Sequence, residues 1–333
     1  MENPTAEDPF TDEHVFPAAL GGVLTVAHGV CAACNNGFSK IEQALAKELT
    51  PIRLLLQIPD RYGNVPHTDA TIKTEKQVYL GRVRGDGSVQ PKPIITEETG
   101  AAGTREFVHR FATERQKEKL RKLAQEKGQE LIEMGPGEPV TAEVHIGGDL
   151  MTIGSAEGLR TAAKIAYVGF AYTAGARVAA SDPFSEVRTY ISEGKGAGIS
   201  RLFINERFLS LCQQGPHQHS IIIAARRDQH RADAIVRLFG GLCYFVVLSD
   251  RYNGADFNCT LAYDAHRGEI NGLLLAHEQA EFLQTEDVRT SKDTVWGNLE
   301  ASGRAFCQFL EQAIKAKLAK DRGRREEVGG RPR

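Results

Sequence analysis

The stretch 11-TDEHVFPAALGGVLTVAHGVCAACNNGFSKIEQ-43 gathers an acidic–histidine pair, a glycine pair, a CxxC and two asparagines in one short segment. Gly21 and Gly22 mark a turn, and VLTVAHGVC reads as a strand that enters the CxxC. Ser39 followed by Glu42 is a capping-box signature, and Ile41, Leu45 and Leu49 recur at helical spacing up to Pro51. The expected order is strand, turn, strand, knuckle and helix, with the helix starting just after the asparagines.

These residue types suit phosphodiester chemistry. A cation that cleaves a phosphodiester needs hard oxygen or imidazole ligands, an open position for a phosphate oxygen, and a base that activates water. Glu13 and His14 supply a carboxylate and an imidazole on adjacent residues. Consecutive side chains of a strand point to opposite faces, so one site can use both only at a strand end or a bend. Asn35 and Asn36 would project a carbonyl oxygen from the first helical turn, where the helix N-terminus favours phosphate.

The segments DEHVFPAALGG and VCAACNNGFSKIE resemble the HNH endonuclease family, whose ββα-metal motif carries an acidic–histidine pair, a CxxC knuckle and an asparagine-bearing helix. The resemblance covers residues 12 to 50. It implies an α+β protein with an N-terminal ββα-metal, treble-clef-like module followed by a larger mixed α+β domain. It also implies a metal-dependent endonuclease that hydrolyses phosphodiester bonds of nucleic acid, with DNA as the expected substrate. By the same resemblance His14 is the general base, Glu13 and Asn36 are ligands of a single Mg²⁺ or Mn²⁺, and Cys31 and Cys34 form a knuckle that can hold a structural Zn²⁺.

Two departures from the family pattern stand out. VLTVAHGVC lacks the asparagine that orients the base in many relatives, which leaves His28 or a backbone carbonyl for that role; the last family histidine is also missing, with Ser39 or Lys40 near its place. No cysteine precedes Glu13 to complete a tetrahedral zinc site. Either the knuckle holds no zinc, a distant cysteine or histidine completes it, or the start of the chain lies upstream of Met1.

Composition narrows the remaining classes. Apolar residues at 41% and charged residues at 25% fit a globular protein, and a net charge of −2 means that any nucleic-acid surface must be a local patch. With no run long enough to span a bilayer and no basic leader, the expected location is cytoplasmic and no membrane partner is expected. The spacing of the six cysteines does not form a disulfide framework, and Cys212, Cys243, Cys259 and Cys307 are expected to pack in cores.

The expected organisation is a nuclease module at 1–68, an α+β companion domain for substrate or partner selection at 69–320, and a disordered basic tail at 321–333. In the companion, KQVYLGRVRGDGSVQPKPI reads as a hairpin turning at Gly85-Asp86-Gly87, 105–130 as a charged helix, and a helix beginning at Ser155 as buried. HQHSIIIAARRD reads as a central strand and 276–320 as helical. AAKIAYVGF, VRTYISEG and VRLFGGLCYFVVL resemble a companion region of some bacterial HNH proteins. The basic run RQKEKLRK reads as a solvated face, and His217 and His219 as surface histidines. The competing reading is a non-catalytic binding module with a structural knuckle. A thiol-redox role is disfavoured because no thioredoxin-like βαβ context surrounds the CxxC.

Overall fold

The computed structural model describes residues 10–75, 77–85, 88–99, 105–110, 114–128, 132, 143–146, 153–203, 215–274 and 283. The chain forms two compact units. Residues 67–148 make one, and the segments up to 66 and from 149 together make the other.

Strand β1 (Phe10–His14) pairs antiparallel with β2 (Thr25–Cys31), and α1 (Ala32–Glu48) follows without a gap. Cys31 caps α1: its Sγ accepts the Cys34 backbone N–H at 3.4 Å. The helix therefore begins ahead of the asparagines, and Ser39, expected at the cap, lies inside it with its hydroxyl on the Asn35 carbonyl. Pro51 starts rather than stops the next helix, α2 (Thr50–Leu56), because a first-turn N–H has no intrahelical partner to lose.

In the 67–148 unit, β3 (Thr68–Lys73), β4 (Val78–Val83) and β5 (Val89–Pro91) are joined by β8 (Glu143–Ile146) in the order β5-β4-β3-β8. The expected hairpin is β4–β5, although Asp86 and Gly87 lie outside the described residues. A second hairpin joins β6 (Ile94–Thr99) to β7 (Arg105–Arg110), so the expected long helix is confined to α3 (Glu114–Lys127). Alternation of Phe107 with charged neighbours is strand periodicity, which the helical reading of 105–130 overlooked. No residue of α3 is buried, and its charges pair within the helix, Lys117 with Glu114 and Arg121 with Glu118.

In the larger unit, α4 (Ala156–Ala174), the short α5 (Ala176–Ala179) and α6 (Ser185–Glu193) lead to a six-stranded antiparallel sheet. Its strands are β9 (Ser200–Phe203), β10 (Gln218–Arg226), β11 (Arg231–Leu238), β12 (Leu242–Ser249), β13 (Phe257–Asp264) and β14 (Glu269–Leu274), ordered β14-β13-β10-β11-β12-β9. HQHSIIIAARRD thus supplies a central strand, and RADAIVRLFGGLCYFVVLSD a hairpin of two. Ile221, Ile223 and Ala225 face the main core, whereas Ile222 and Ala224 join Ile235, Cys243 and Phe245 on the other side of the sheet. Alternate residues buried on opposite faces explain why this strand reads as an unbroken apolar run. Cys243 and Cys259 are buried free thiols, as expected; Cys212 and Cys307 lie outside the described residues, as do 276–320, Leu283 excepted, and 321–333.

Helix α4 starts at Ser155, whose hydroxyl accepts the Gly158 N–H, and it lies close on the sheet. A Cβ at Gly169 would meet Ile221 Cδ1 at 2.4 Å. One continuous core includes Val15, Phe16, Ile41 and Leu45 of the N-terminal segment, Ala162, Ala166 and Phe170 of α4, and the inner face of the sheet. The sequence-based division into 1–68 and 69–320 therefore differs from the compact units. The N-terminal segment shares its core with residues beyond 149, and the 67–148 unit is inserted between them.

The glycine pair is anchored to that sheet. Tyr263 donates from its hydroxyl to the Gly21 carbonyl at 2.6 Å and accepts the Val23 N–H at 3.1 Å. Gly21 sits at φ +85°, and a Cβ at Gly22 would lie 2.0 Å from the Phe16 carbonyl oxygen. His219 is fully buried rather than on the surface: Nδ1 accepts the Phe239 N–H at 3.1 Å, so Nε2 carries the proton donated to the Leu20 carbonyl at 3.1 Å.

Burial pushes the His219 imidazole down to about 4. Above the unfolded value of about 6.5 the ring is neutral in both states. As pH falls from there toward 4, the unfolded chain takes up a proton that the folded chain refuses, at a cost of roughly 3 kcal/mol. Urea unfolding at about pH 7 and about pH 4.5 should show this loss in the wild type and a smaller one in His219→Gln. Equal pH sensitivity in the two proteins would refute the assignment.

Candidate nuclease site

The site begins with a bulge. Thr11 pairs with Val30 and Glu13 with Val26, so β2 contributes two extra residues opposite Asp12. His28 lies in this bulge at φ +52°, exposed, with its backbone N–H on Asp12 Oδ1 at 3.2 Å. Its side chain is not hydrogen-bonded to His14, and no described residue bonds the His14 ring. The bulge supplies the bend that a Glu–His pair at a strand end requires.

The two predicted residues have different surroundings. Glu13 is 3% exposed, whereas His14 is half-buried. The cause is Lys164 of α4, which has no exposed surface. Its ammonium donates to Glu13 Oε1, to Glu42 Oε1 of α1, and to the His14 backbone carbonyl at 2.9 Å. Burial pushes the Glu13 carboxyl up, against the opposing pull of the Lys164 charge and hydrogen bond. Glu13 Oε2 is buried without a hydrogen-bond partner among the described residues.

Burial also holds the His14 imidazole below its ordinary range, and the positive charges of Lys164 and Arg61 push it the same way. Glu42 and Asp12 act in the opposite direction. The ring is thus neutral near pH 7, the form that can accept a proton from water. Arg61 is exposed, and its backbone N–H is tied to the Ala18 carbonyl at 3.1 Å. Asp60 organises the same turn by accepting the N–H groups of Tyr62 and Asn64.

The two asparagines divide by helix phase. Asn35 shares the inward face of α1 with Phe38 and Glu42, and its Nδ2 donates to Thr11 Oγ1 at 3.0 Å. Asn36 is exposed on the side of Gly37, Lys40 and Gln43, and no hydrogen bond links it to Glu13 or His14. Cys31 is buried and Cys34 partly so, both as free thiols; among the described residues no group of three or more His, Cys, Asp or Glu side chains is placed to hold a metal.

Glu13 and Asn36 therefore do not fit together as the ligand pair of a divalent ion. The carboxylate already faces an ammonium, and the amide points to solvent on another face of the helix. Lys164, Glu42 and Arg61 were missed as site residues in the sequence. Lys164 stands in an alanine-rich helical run, where a lone lysine flanked by apolar residues is itself a sign of a buried, paired charge.

Residues 2–50 match the family model of the HNH endonucleases. The similarity to the HNH endonuclease family is confined to this N-terminal segment. No curated protein and no solved structure gives a match to the chain. The HNH match takes in all of α1 and ends at Thr50, the first residue of α2, so Arg61 and Lys164 both lie outside it.

If the surroundings described here set the protonation of the base, the His14 imidazole should titrate with a midpoint below about 6.5. Histidine-selective NMR on the folded protein, with His14→Gln to assign the resonance, would measure it. A midpoint at or above the ordinary value would contradict the site as described.

Proposed function

We propose that the protein is an endonuclease that hydrolyses phosphodiester bonds of nucleic acid, DNA being the expected substrate, with His14 as the general base. The observation that carries this reading is a half-exposed imidazole at the end of β1, in an HNH domain, kept neutral by burial and by two nearby cations. In this reading His14 takes a proton from water, the hydroxide formed attacks phosphorus, and the P–O bond to the leaving 3′ oxygen breaks, that oxygen taking up a proton from solvent. Arg61, exposed on an organised turn, offers a guanidinium to a phosphate oxygen, a role that its fork of donors suits.

HNH nucleases generally use divalent ions, and Mg²⁺ or Mn²⁺ is the cofactor we propose. When bound, such an ion would supply Lewis-acid stabilisation of the phosphate and leaving oxygen. Glu13, paired with Lys164, and solvent-exposed Asn36 are not brought together as a ligand pair for it. Cys31 acts as a helix cap whether or not the knuckle also holds zinc.

The test is cleavage of plasmid DNA by the purified protein with Mg²⁺ or Mn²⁺, beside an EDTA control and His14→Ala. Removing a general base is expected to lower the rate by about 10²–10⁴-fold while leaving the fold and nucleic-acid affinity nearly intact. Folded wild-type protein that binds but does not cut plasmid, single-stranded DNA or RNA under either metal would favour the binding module instead.

A further inference from the structure

We propose that Lys164 is the built-in cation of this HNH site: a positioning residue that holds Glu13, Glu42 and the His14 carbonyl together, and so fixes the base and withdraws Glu13 from metal binding. The proposal stands on geometry. Lys164 is fully buried and donates to partners on two other elements, β1 and α1, and to the backbone of the proposed base itself.

A buried ammonium with three acceptors has its hydrogen-bonding capacity filled, since the group carries three donors. Two carboxylates and one ammonium in the same pocket leave a single negative charge to be balanced. A dication brought to Glu13 would meet the ammonium at short range, where burial makes the repulsion strong. The bond to the His14 carbonyl fixes the backbone from which the imidazole projects. A reacting group displaced by as little as 1 Å can lose about 10²-fold in rate.

The proposal also makes the HNH domain dependent on residues outside it. No described residue within 2–50 supplies this charge; it comes from the middle of α4, which also packs on the six-stranded sheet. The nuclease reading enters only through the activity arm of the test.

Three readouts on the full-length protein decide it: Mn²⁺ binding by electron paramagnetic resonance, the histidine-selective NMR signal of His14, and plasmid cleavage. Glu13→Gln keeps an acceptor for Lys164 and is expected to leave Mn²⁺ affinity within about twofold of wild type. A loss in the ~10–100-fold range seen when metal-site groups are removed would make Glu13 a ligand and overturn the proposal.

Lys164→Met alone strands the buried Glu13 and the partly buried Glu42 carboxylates and should lower the Tm. Combining it with Glu13→Gln and Glu42→Gln removes all three charges and should restore folding. In that triple variant the His14 midpoint should move away from its wild-type value, and kcat should fall about 10²-fold with KM little changed. A folded triple variant with the wild-type His14 midpoint and wild-type kcat would show Lys164 to be structural only. If the wild type cuts nothing, the nuclease reading fails, yet the Mn²⁺ and His14 arms still decide this proposal.

Discussion

An ammonium group removed from water, surrounded by two carboxylates and a backbone carbonyl, governs how the N-terminal domain is held. Taking such a charge out of solvent costs several kcal/mol, and mutual attraction offsets the cost only where the geometry is good and the remaining donors are satisfied. Lys164 meets that condition with its contacts to Glu13, Glu42 and the His14 carbonyl. Its three partners come from a strand and a helix that are far from it in sequence. The ion cluster therefore forms only when β1, α1 and α4 have all docked, which couples the site to the fold of the larger unit.

A second set of contacts makes the same coupling from the other side. Tyr263 grips Gly21 and Val23, His219 holds the Leu20 carbonyl, and Phe16 stacks on the Tyr263 ring at 5.5 Å. The loop between β1 and β2 is thus fixed by β10 and β13, while the end of β1 that leads into this loop is fixed by α4. Glu48 continues the pattern, since its carboxylate receives the Ser155 hydroxyl and the Gly154 N–H at the start of α4. A domain of this size buries little core alone, and here its missing support comes from the sheet.

Much of this was legible in the sequence because it is local. Turn glycines, a short alternating strand, the CxxC and an apolar helical stripe all declare themselves within a few residues, and β1, β2 and α1 appear in the expected order. The helix start is hidden because Ser39 and Glu42 imitate a capping box, while the true cap is the Cys31 sulfur, outside the usual set of capping residues. The charged run after Phe107 extends the expected helix over it, although its own segment pairs as a strand. Lys164 was out of reach for a different reason: its partners lie more than a hundred residues away, and no spacing rule reports a contact of that range.

Helix phase decides which asparagine faces the site. With both asparagines inside α1, residues at 3.6 per turn place Asn35, Phe38, Glu42 and Leu45 on one side. Asn36 falls about 100° away, among residues in water. The same face that turns Asn35 toward Thr11 also turns Glu42 toward Lys164. One helical face therefore supplies both the amide that meets β1 and the second carboxylate that pairs with the buried ammonium. Through Glu42 that face also opposes the effect of Lys164 and Arg61 on the His14 imidazole.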